Sequence, residues 1–259
     1  MSTEGDSTAP IARPDSESAP EESAESSMTM MEHLEELRTR LVISSVGLLV
    51  GLVLSAVPVP GADSLTWKVI QILIVPVQGR IQGIAPGEVF FTYLKIALVV
   101  GAALAMPLLV YQALKFVLPA LLPHEKKYIW LAVPGVTLSF VGGLAFGYFV
   151  LLPFAISFLM GFGADLIEQN WSFSAYVSTV ASLLFWMGLS FETPLVMFFL
   201  AKLRVINVDR MRRFRKYALV LAFVAGAIIT PTPDPINQTA VSVPLYLLFE
   251  IGILLARFA

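Results

Sequence analysis

The sequence has no cysteine and only two histidines, His33 and His124, among its 259 residues. Disulfides, thiolate metal sites and cysteine nucleophiles are therefore excluded, and a histidine-rich metal site is not expected. Charged residues are also scarce, because they make up 14% of the chain, whereas about 25% is usual for a soluble domain. With 57% hydrophobic residues, the composition predicts an integral membrane protein without a cofactor.

Motifs for nucleotide chemistry and acyl transfer are missing as well. The sequence contains no P-loop, no dinucleotide-binding fingerprint and no nucleophile elbow. Nothing in its charge pattern indicates nucleic-acid binding. We therefore expect a protein that is not an enzyme.

The first 30 residues are rich in Ser, Glu, Pro and Ala, and residues 1–32 contain eight acidic residues against the single basic Arg13. Such a segment buries too little apolar surface to offset the entropy lost on ordering, so residues 1–30 are predicted to be a disordered acidic tail. They lack the basic start and apolar core of a secretory signal, and transit peptides are poor in acidic residues. Residues 31–259 are predicted to form one transmembrane domain.

Six apolar segments approach the roughly 20 residues that a membrane-spanning helix needs. They cover approximately residues 41–57, 91–118, 128–160, 175–200, 217–230 and 238–258. Prolines occur inside several of them, and a proline within a helix removes a hydrogen bond and bends the axis. The predicted fold is an all-α membrane protein, a bundle of six kinked transmembrane helices.

The basic residues are distributed unevenly between the two sides of this bundle. With the N-terminus inside, 14 of the 17 Lys and Arg residues lie on the inner side, and only Lys68, Arg80 and Lys95 lie outside. The positive-inside rule therefore predicts that both termini are cytoplasmic. The outer segment 65–74 is apolar but too short to span. It is either a helix lying in the outer interface, with Trp67 at headgroup level, or a helix that caps the spans.

A charged segment, His33–Leu41, directly precedes the first apolar run. Glu36 with Arg40, and Glu35 with Arg38, have the spacing of ion pairs on a helix, which contribute about 0.3–0.5 kcal/mol when exposed. Alternatively, Glu36 faces a cation of a ligand.

Two further acidic residues are candidates for function. Glu125 lies in an inner loop, where it either complements the dipole of the following helix or forms, with Glu36, a pair of carboxylates that bind arginines bidentately. Glu192 lies within an apolar span, where a carboxylate costs about 2.5–3.5 kcal/mol at the bilayer centre. It should therefore face protein or water, either as a structural hydrogen-bonding group or on a functional pathway.

The last outer turn contains a second group of polar residues. Asp234 or Asn237 is expected to cap the sixth helix, and Gln238 could instead bond a partner helix within the membrane. Glu250, near the inner end of that helix, has Arg257 two turns further on as an expected ion-pair partner.

Taken together, these residues resemble the TatC family, the multi-spanning receptor subunits of the twin-arginine protein translocase. The resemblance covers about residues 31–258 and depends on the order of several short motifs. In chain order they are His33–Leu41, Phe90-Phe91, Pro107 with Tyr111-Gln112, Pro119–Leu121 with His124-Glu125, Phe191–Pro194, Thr230-Pro231 with Asp234 and Gln238, and Pro244 with Phe249–Gly252.

The resemblance implies a receptor in the prokaryotic plasma membrane that binds twin-arginine signal peptides and exports folded proteins with TatA and TatB, using the proton gradient. It implies that Glu36 and Glu125, flanked by Arg38 and His124, bind the two arginines. It also implies that Glu192 lines a concave groove facing the bilayer. The docking sites for the single-span partners would be at Thr230, Asp234 and Gln238, and self-association is expected.

An alternative function is a proton-coupled secondary transporter in which Glu192 carries the proton. Many transporters of this kind contain two related halves with paired broken helices, and the sequence shows no internal repeat.

Overall fold

The computed structural model describes residues 30–77, 81–117, 127–162, 170–202, 204–230 and 234–258, with the backbone alone described for residues 30, 117 and 127–132. The predicted acidic tail therefore lies outside the described residues, apart from Met30. The described chain is almost entirely helical. Its helices are α1 (Met30–Ala56), α2 (Leu65–Ile74), α3 (Glu88–Val117), α4 (Lys127–Phe146), α5 (Leu152–Gly161), α6 (Phe173–Phe191), α7 (Thr193–Lys202), α8 (Val208–Arg213), α9 (Arg215–Ile229) and α10 (Pro235–Ala256).

Five helical stretches of the described chain are long and apolar enough to cross a membrane. They are Met31–Ala56, Glu88–Phe116, Val133–Gly161, Phe173–Lys202 and Pro235–Ala256. The fifth predicted span corresponds to α9, which has 15 residues and is therefore about 22 Å long at 1.5 Å per residue. This length is below the roughly 30 Å of a bilayer core.

The charged segment His33–Leu41 belongs to α1, so the first helix begins 11 residues before the predicted boundary at residue 41. Its Glu, Leu and Arg residues are all good helix formers, and the helix continues into the apolar run without a break. The charged residues therefore have fixed positions relative to the span that follows them.

Prolines shape the spans in two ways. Pro107, Pro134 and Pro244 lie inside α3, α4 and α10. Between α4 and α5 the helix widens into one π-helical turn, Gly147–Leu151, where the Leu152 N–H donates to the Gly147 carbonyl. This turn directly precedes Pro153 in the first turn of α5, so the long third span bends without losing its helical continuity.

We call the end of the bundle at which α1 begins and α10 ends the basic end, because most described Lys and Arg residues lie there. The opposite end is called the cap end, because α2 packs there against α3 and α6 through Ile70 and Leu73. The Thr66 hydroxyl of α2 donates to the Ser55 carbonyl at 2.8 Å, and Tyr176 of α6 donates to the Leu73 carbonyl at 2.9 Å. Of the two alternatives for segment 65–74, the structure has the helix that caps the spans.

Two loops meet at the cap end in a short parallel pairing of Ile81–Gln82 with Trp171–Ser172. Glu88, the first residue of α3, lies beside this pairing. Its carboxylate accepts the backbone N–H groups of Ile84 at 2.6 Å, Ala85 at 3.1 Å and Ser174 at 2.7 Å, together with the Ser172 hydroxyl. One side chain thus joins the loop before α3 to the start of α6.

Glycines allow the helices to approach closely at two crossings. A Cβ on Gly51 of α1 would lie 2.4 Å from the carbonyl oxygen of Gly101 on α3, and a Cβ on Gly143 of α4 would lie 2.7 Å from the Gly188 Cα of α6. Only glycine fits positions where backbones approach this closely. The backbone of α1 therefore lies directly against that of α3, and the backbone of α4 lies directly against that of α6.

Candidate functional site

Glu36 lies on α1 at the basic end, and its side chain is 15% exposed. Its Oε1 accepts a hydrogen bond from Nη2 of Arg40, one turn later, at 2.9 Å, which confirms the ion pair predicted from the spacing. Nη1 of Arg40 donates to Oε1 of the buried Gln112 on α3 at 3.2 Å. The pair therefore bridges α1 and α3 rather than lying free on a helix surface.

This polar network is incomplete. Glu36 Oε2 and Arg40 Nε are both buried and have no hydrogen-bond partner in the described structure. Next to it, the rings of His33 and Phe116 stack with their centroids 4.4 Å apart. The basic end of α1 is therefore held against α3 at two places, and Glu36 is presented from a fixed helix.

The second predicted pair of this segment is wrong. Glu35 and Arg38 are both exposed, and no ion pair joins them, although both lie within the described residues. An exposed i,i+3 pair contributes only about 0.2–0.5 kcal/mol, which the entropy of holding two long side chains can cancel. Arg38 is thus exposed on α1, close in sequence to Glu36. Glu125 and His124, the other predicted ligand-binding residues, lie outside the described residues.

Glu192 lies between α6 and α7 inside the bundle and is 6% exposed, so it faces protein as predicted. Within the described ranges, neither of its carboxylate oxygens has a hydrogen-bond partner and no salt bridge includes it. Its backbone caps α6, because its N–H donates to the Leu189 carbonyl at 3.2 Å. One turn earlier, Gly188 packs against the ring of Phe140 on α4.

The three predicted docking residues lie together at the cap end, where α9 ends and α10 begins. The Thr230 hydroxyl donates to the Gly226 carbonyl at 2.8 Å, and the Gln238 side-chain amide donates to the Phe223 carbonyl at 3.0 Å. Asp234 is the N-cap of α10 and accepts the Asn237 N–H at 2.7 Å, as predicted. The three side chains thus hold α9 and α10 in place, and each has a partner within the chain.

An apolar groove of about 740 Å³ lies beside this cluster, between α10 and the bend of the third span. Its walls include Val150 and Phe154 on one side and Ile236, Thr239 and Val243 on the other. Its lining is almost entirely hydrocarbon, which is the surface that an apolar helix would contact in a membrane.

Glu250 does not pair with Arg257, so this prediction is also wrong. Its Oε2 accepts a hydrogen bond from Nη2 of Arg215 at 2.6 Å, and its Oε1 accepts one from the Tyr246 hydroxyl at 2.8 Å. Arg215 begins α9, which packs beside α10, whereas Arg257 is on the same chain segment two turns beyond Glu250. Glu250 therefore pairs with Arg215 of the neighbouring helix and not with Arg257.

Two residues that join separate parts of the structure, Gln112 and Glu88, were not identified from the sequence. Gln112 appeared only as part of a motif, and Glu88 was not singled out at all. An acidic residue after a glycine at the start of an apolar run is a recognisable helix-start signal, and Gly87–Glu88 fits it. Nothing local to Gln112 indicates its contact with Arg40, because that partner is 72 residues away.

Comparisons with known proteins agree with this architecture. The sequence model of the family described as Sec-independent protein translocase protein (TatC) matches residues 32–244. The Sec-independent protein translocase protein TatC of Carboxydothermus hydrogenoformans is 36% identical over 234 residues, covering 89% of this chain and 93% of the relative. The chloroplastic TATC of Pisum sativum is 33% identical over 235 residues, covering 90% of this chain and 65% of the relative.

A crystal structure described as the twin-arginine translocase receptor TatC has a similar fold. It superposes with a TM-score of 0.77 at 37% sequence identity, covering 88% of this chain and 99% of that structure. The fold and these matches together define a multi-pass, all-helical membrane protein of the protein-transport class, a non-enzymatic component. The chain belongs to the TatC family, the receptor component of twin-arginine translocation.

Proposed function

We propose that this protein binds the paired arginines of twin-arginine signal peptides at its basic end, with Glu36 as one of the receiving carboxylates. The observation that carries this proposal is the position of Glu36. Its side chain is 15% exposed, it lies on a helix held against α3, and it already binds the guanidinium of Arg40. A carboxylate that holds one arginine side chain has the charge and geometry to hold another, because the planar guanidinium fork matches it bidentately.

In this proposal Glu125 is the second carboxylate, and Arg38 and His124 lie beside the two glutamates in sequence. The apolar part of the signal peptide then passes along a concave groove towards Glu192. A buried carboxylate that has no partner in the described part of the chain supports such a role, since ionisable groups within membrane spans are expensive to retain without a function.

We further propose that TatA and TatB dock their single spans along α10, near Thr230, Asp234 and Gln238. The apolar groove between α10 and the bend of the third span supports this location.

Transport would use the proton gradient, because the sequence has no nucleotide-binding motif. Several copies would assemble in the prokaryotic plasma membrane. Both termini would be cytoplasmic, as the excess of basic residues at the basic end favours.

The test measures binding of a fluorescent twin-arginine signal peptide to the purified full-length protein. Replacing both Glu36 and Glu125 by Ala should weaken binding by at least about 100-fold, since a charge-assisted bidentate contact is lost at each site. Glu35→Ala is the matched control, because it removes an exposed carboxylate next to Glu36 and should leave affinity nearly unchanged. Equal affinity of the double variant and the unmodified protein would refute the assignment of the two glutamates.

A further inference from the structure

A cavity of about 690 Å³ opens at the cap end, between the loop that follows α1, the start of α2 and the start of α3. Its lining includes three aromatic residues, Trp67, Phe90 and Tyr93, and two acidic residues, Asp63 and Glu88. No Lys or Arg is among its described lining residues, so the cavity is both aromatic and acidic. The function proposed above does not use it.

Two of these aromatic residues are linked through Ser64. Its hydroxyl accepts the backbone N–H of Trp67 at 3.2 Å, as the N-cap of α2, and lies 2.8 Å from the Tyr93 hydroxyl, which donates to the Ala56 carbonyl. The ring centroids of Trp67 and Tyr93 are 6.2 Å apart. Because an aromatic ring attracts a cation within about 6 Å of its centroid, one cation can lie close to both rings.

The two acidic residues differ in what they can still bind. Each carboxylate oxygen of Glu88 accepts two hydrogen bonds, from three backbone N–H groups and the Ser172 hydroxyl in total. Glu88 therefore contributes negative charge to the cavity but no free lone pair. Asp63 is exposed, and its carboxylate has no hydrogen bond or ion pair among the described residues. Asp63 is thus the carboxylate available to a ligand.

This lining suits an organic cation and not a metal ion. Ca²⁺ and Mg²⁺ take six or more ligands, nearly all of them oxygens, and the described residues include no group of three acidic or histidine side chains that could hold a metal. Aromatic rings beside one carboxylate are instead the surroundings that attract an ammonium group.

The cavity lies at the level at which a bilayer has its headgroups. One of the helices long and apolar enough to cross a membrane begins at Glu88, and Phe90 and Phe91 in its first turn are 61% and 63% exposed. Trp and Tyr side chains are also enriched at this level of membrane proteins. In a bilayer, the organic cations found there are the ammonium groups of zwitterionic lipids.

We propose that this cavity binds the ammonium group of a phosphatidylethanolamine headgroup. Asp63 is its counter-ion, and Trp67 and Tyr93 provide the aromatic surface beside it. The site holds a lipid at the junction of α1, α2 and α3, at the opposite end of the bundle from Glu36.

The experiment titrates the purified full-length protein, freed of lipid in detergent, with phosphatidylethanolamine and phosphatidylglycerol that have the same acyl chains. Native mass spectrometry separates the bound species by mass and gives an affinity for each lipid. The unmodified protein should prefer phosphatidylethanolamine, because only its headgroup has an ammonium. Asp63→Asn and Trp67→Leu should each lower this preference about two- to fivefold, as expected for the loss of one ion pair or cation–π contact near the surface.

Two variants are the matched controls. Glu35→Gln removes an exposed acidic residue at the basic end, and Phe91→Leu removes an exposed aromatic residue of α3 that does not line the cavity. Both should keep the preference. Asp63→Asn changes one exposed loop residue without changing its shape, so it tests the proposal even if Trp67→Leu does not fold.

Equal affinity of the unmodified protein for the two lipids would overturn the proposal, and so would an unchanged preference in Asp63→Asn or in folded Trp67→Leu. A third arm adds soluble glycerophosphoethanolamine, which has the same headgroup without acyl chains. It should not displace the lipid at equal concentration. If it does, the ligand is a soluble amine and the lipid is not the occupant.

Discussion

Two acidic residues of this chain show how surroundings determine the role of a carboxylate. Glu36 lies at an end of the bundle and has a guanidinium 2.9 Å away, whereas Glu192 lies inside it, and neither of its oxygens has a hydrogen-bond partner among the described residues. An ion pair at the edge of the membrane costs little to form, while a buried carboxyl group without a hydrogen bond costs free energy of folding. Burying Glu192 in this way therefore costs stability.

Arg204 has a backbone φ of +55°, in the left-handed region that residues with a Cβ avoid. It is the second residue after the end of α7. The N–H of Arg204 donates to the Ala201 carbonyl, and the next two N–H groups donate to the Leu200 carbonyl. We expect Arg204→Gly to stabilise the protein by about 1 kcal/mol, because glycine adopts this conformation without strain. A thermal melt in detergent should show a midpoint about 2–4 °C higher.

Arg204→Ala is the control for that variant. It removes the same charged side chain but retains the Cβ that causes the strain, so its midpoint should stay close to that of the unmodified protein. If both variants shift the midpoint equally, the charge and not the backbone conformation would be responsible.

At the scale of a single residue, sequence spacing predicted only contacts within one helix. The Glu36–Arg40 pair and the Asp234 cap of α10 follow from separations of four and three residues. The contacts of Arg40 with Gln112 and of Glu250 with Arg215 join residues 72 and 35 positions apart. They depend on which helices are neighbours, and no local pattern contains that information.

The crossing of α1 and α3 is the element on which the proposed binding site depends. α1 packs mainly on α3, and most of its apolar side chains point away from the rest of the chain, including Leu49, Val53 and Leu54. Close approach at Gly51 and Gly101 therefore fixes the helix that carries Glu36.

Replacing Gly101 by Ala should loosen this crossing. The new Cβ would lie 2.5 Å from the Leu52 backbone nitrogen and 2.6 Å from its Cα, and backbone atoms cannot move aside as a side chain can. We expect a loss of about 1–3 kcal/mol of unfolding free energy, the usual cost of overpacking, measured by denaturant titration in mixed micelles.

The matched control is Gly161→Ala at the end of α5, where a new Cβ would have no atom of another described helix or loop within 4 Å. Alanine is the better helix former, so this variant should be as stable as the unmodified protein or slightly more stable. Equal losses at Gly101 and Gly161 would contradict the close-packing explanation.

The elements themselves were largely predictable, because hydrophobic length is a strong signal in a membrane protein. All six predicted spans have a counterpart, although α9 is shorter than a bilayer core. The turn at Glu192 between α6 and α7 was not foreseen, and neither was the π turn before Pro153, which keeps the third span helical. Such details depend on how neighbouring helices accommodate a proline or a buried carboxylate.

At the scale of the whole molecule, one carboxylate joins the two loops of the cap end. Glu88 accepts hydrogen bonds from both loops that form the parallel pairing. Replacing Glu88 by Ala should free the backbone N–H groups of Ile84, Ala85 and Ser174. Hydrogen–deuterium exchange followed by mass spectrometry should then show faster exchange in peptides covering residues 81–88 and 170–176.

Asp63→Ala provides the comparison, since Asp63 is an exposed acidic residue at the same end. It should leave exchange in both peptides unchanged. Unaltered protection of the two peptides in Glu88→Ala would mean that the short strand pairing alone holds the loops together.

The contact between Glu88 and Ser172 has a consequence for biosynthesis. The ribosome adds Glu88 84 residues before Ser172, so a nascent chain exposes this carboxylate long before its later partners exist. The loops can be joined only once the helix hairpin formed by α3 and the α4–α5 span has been inserted and the start of α6 has followed. The contact can thus close only after the first three spans have been made.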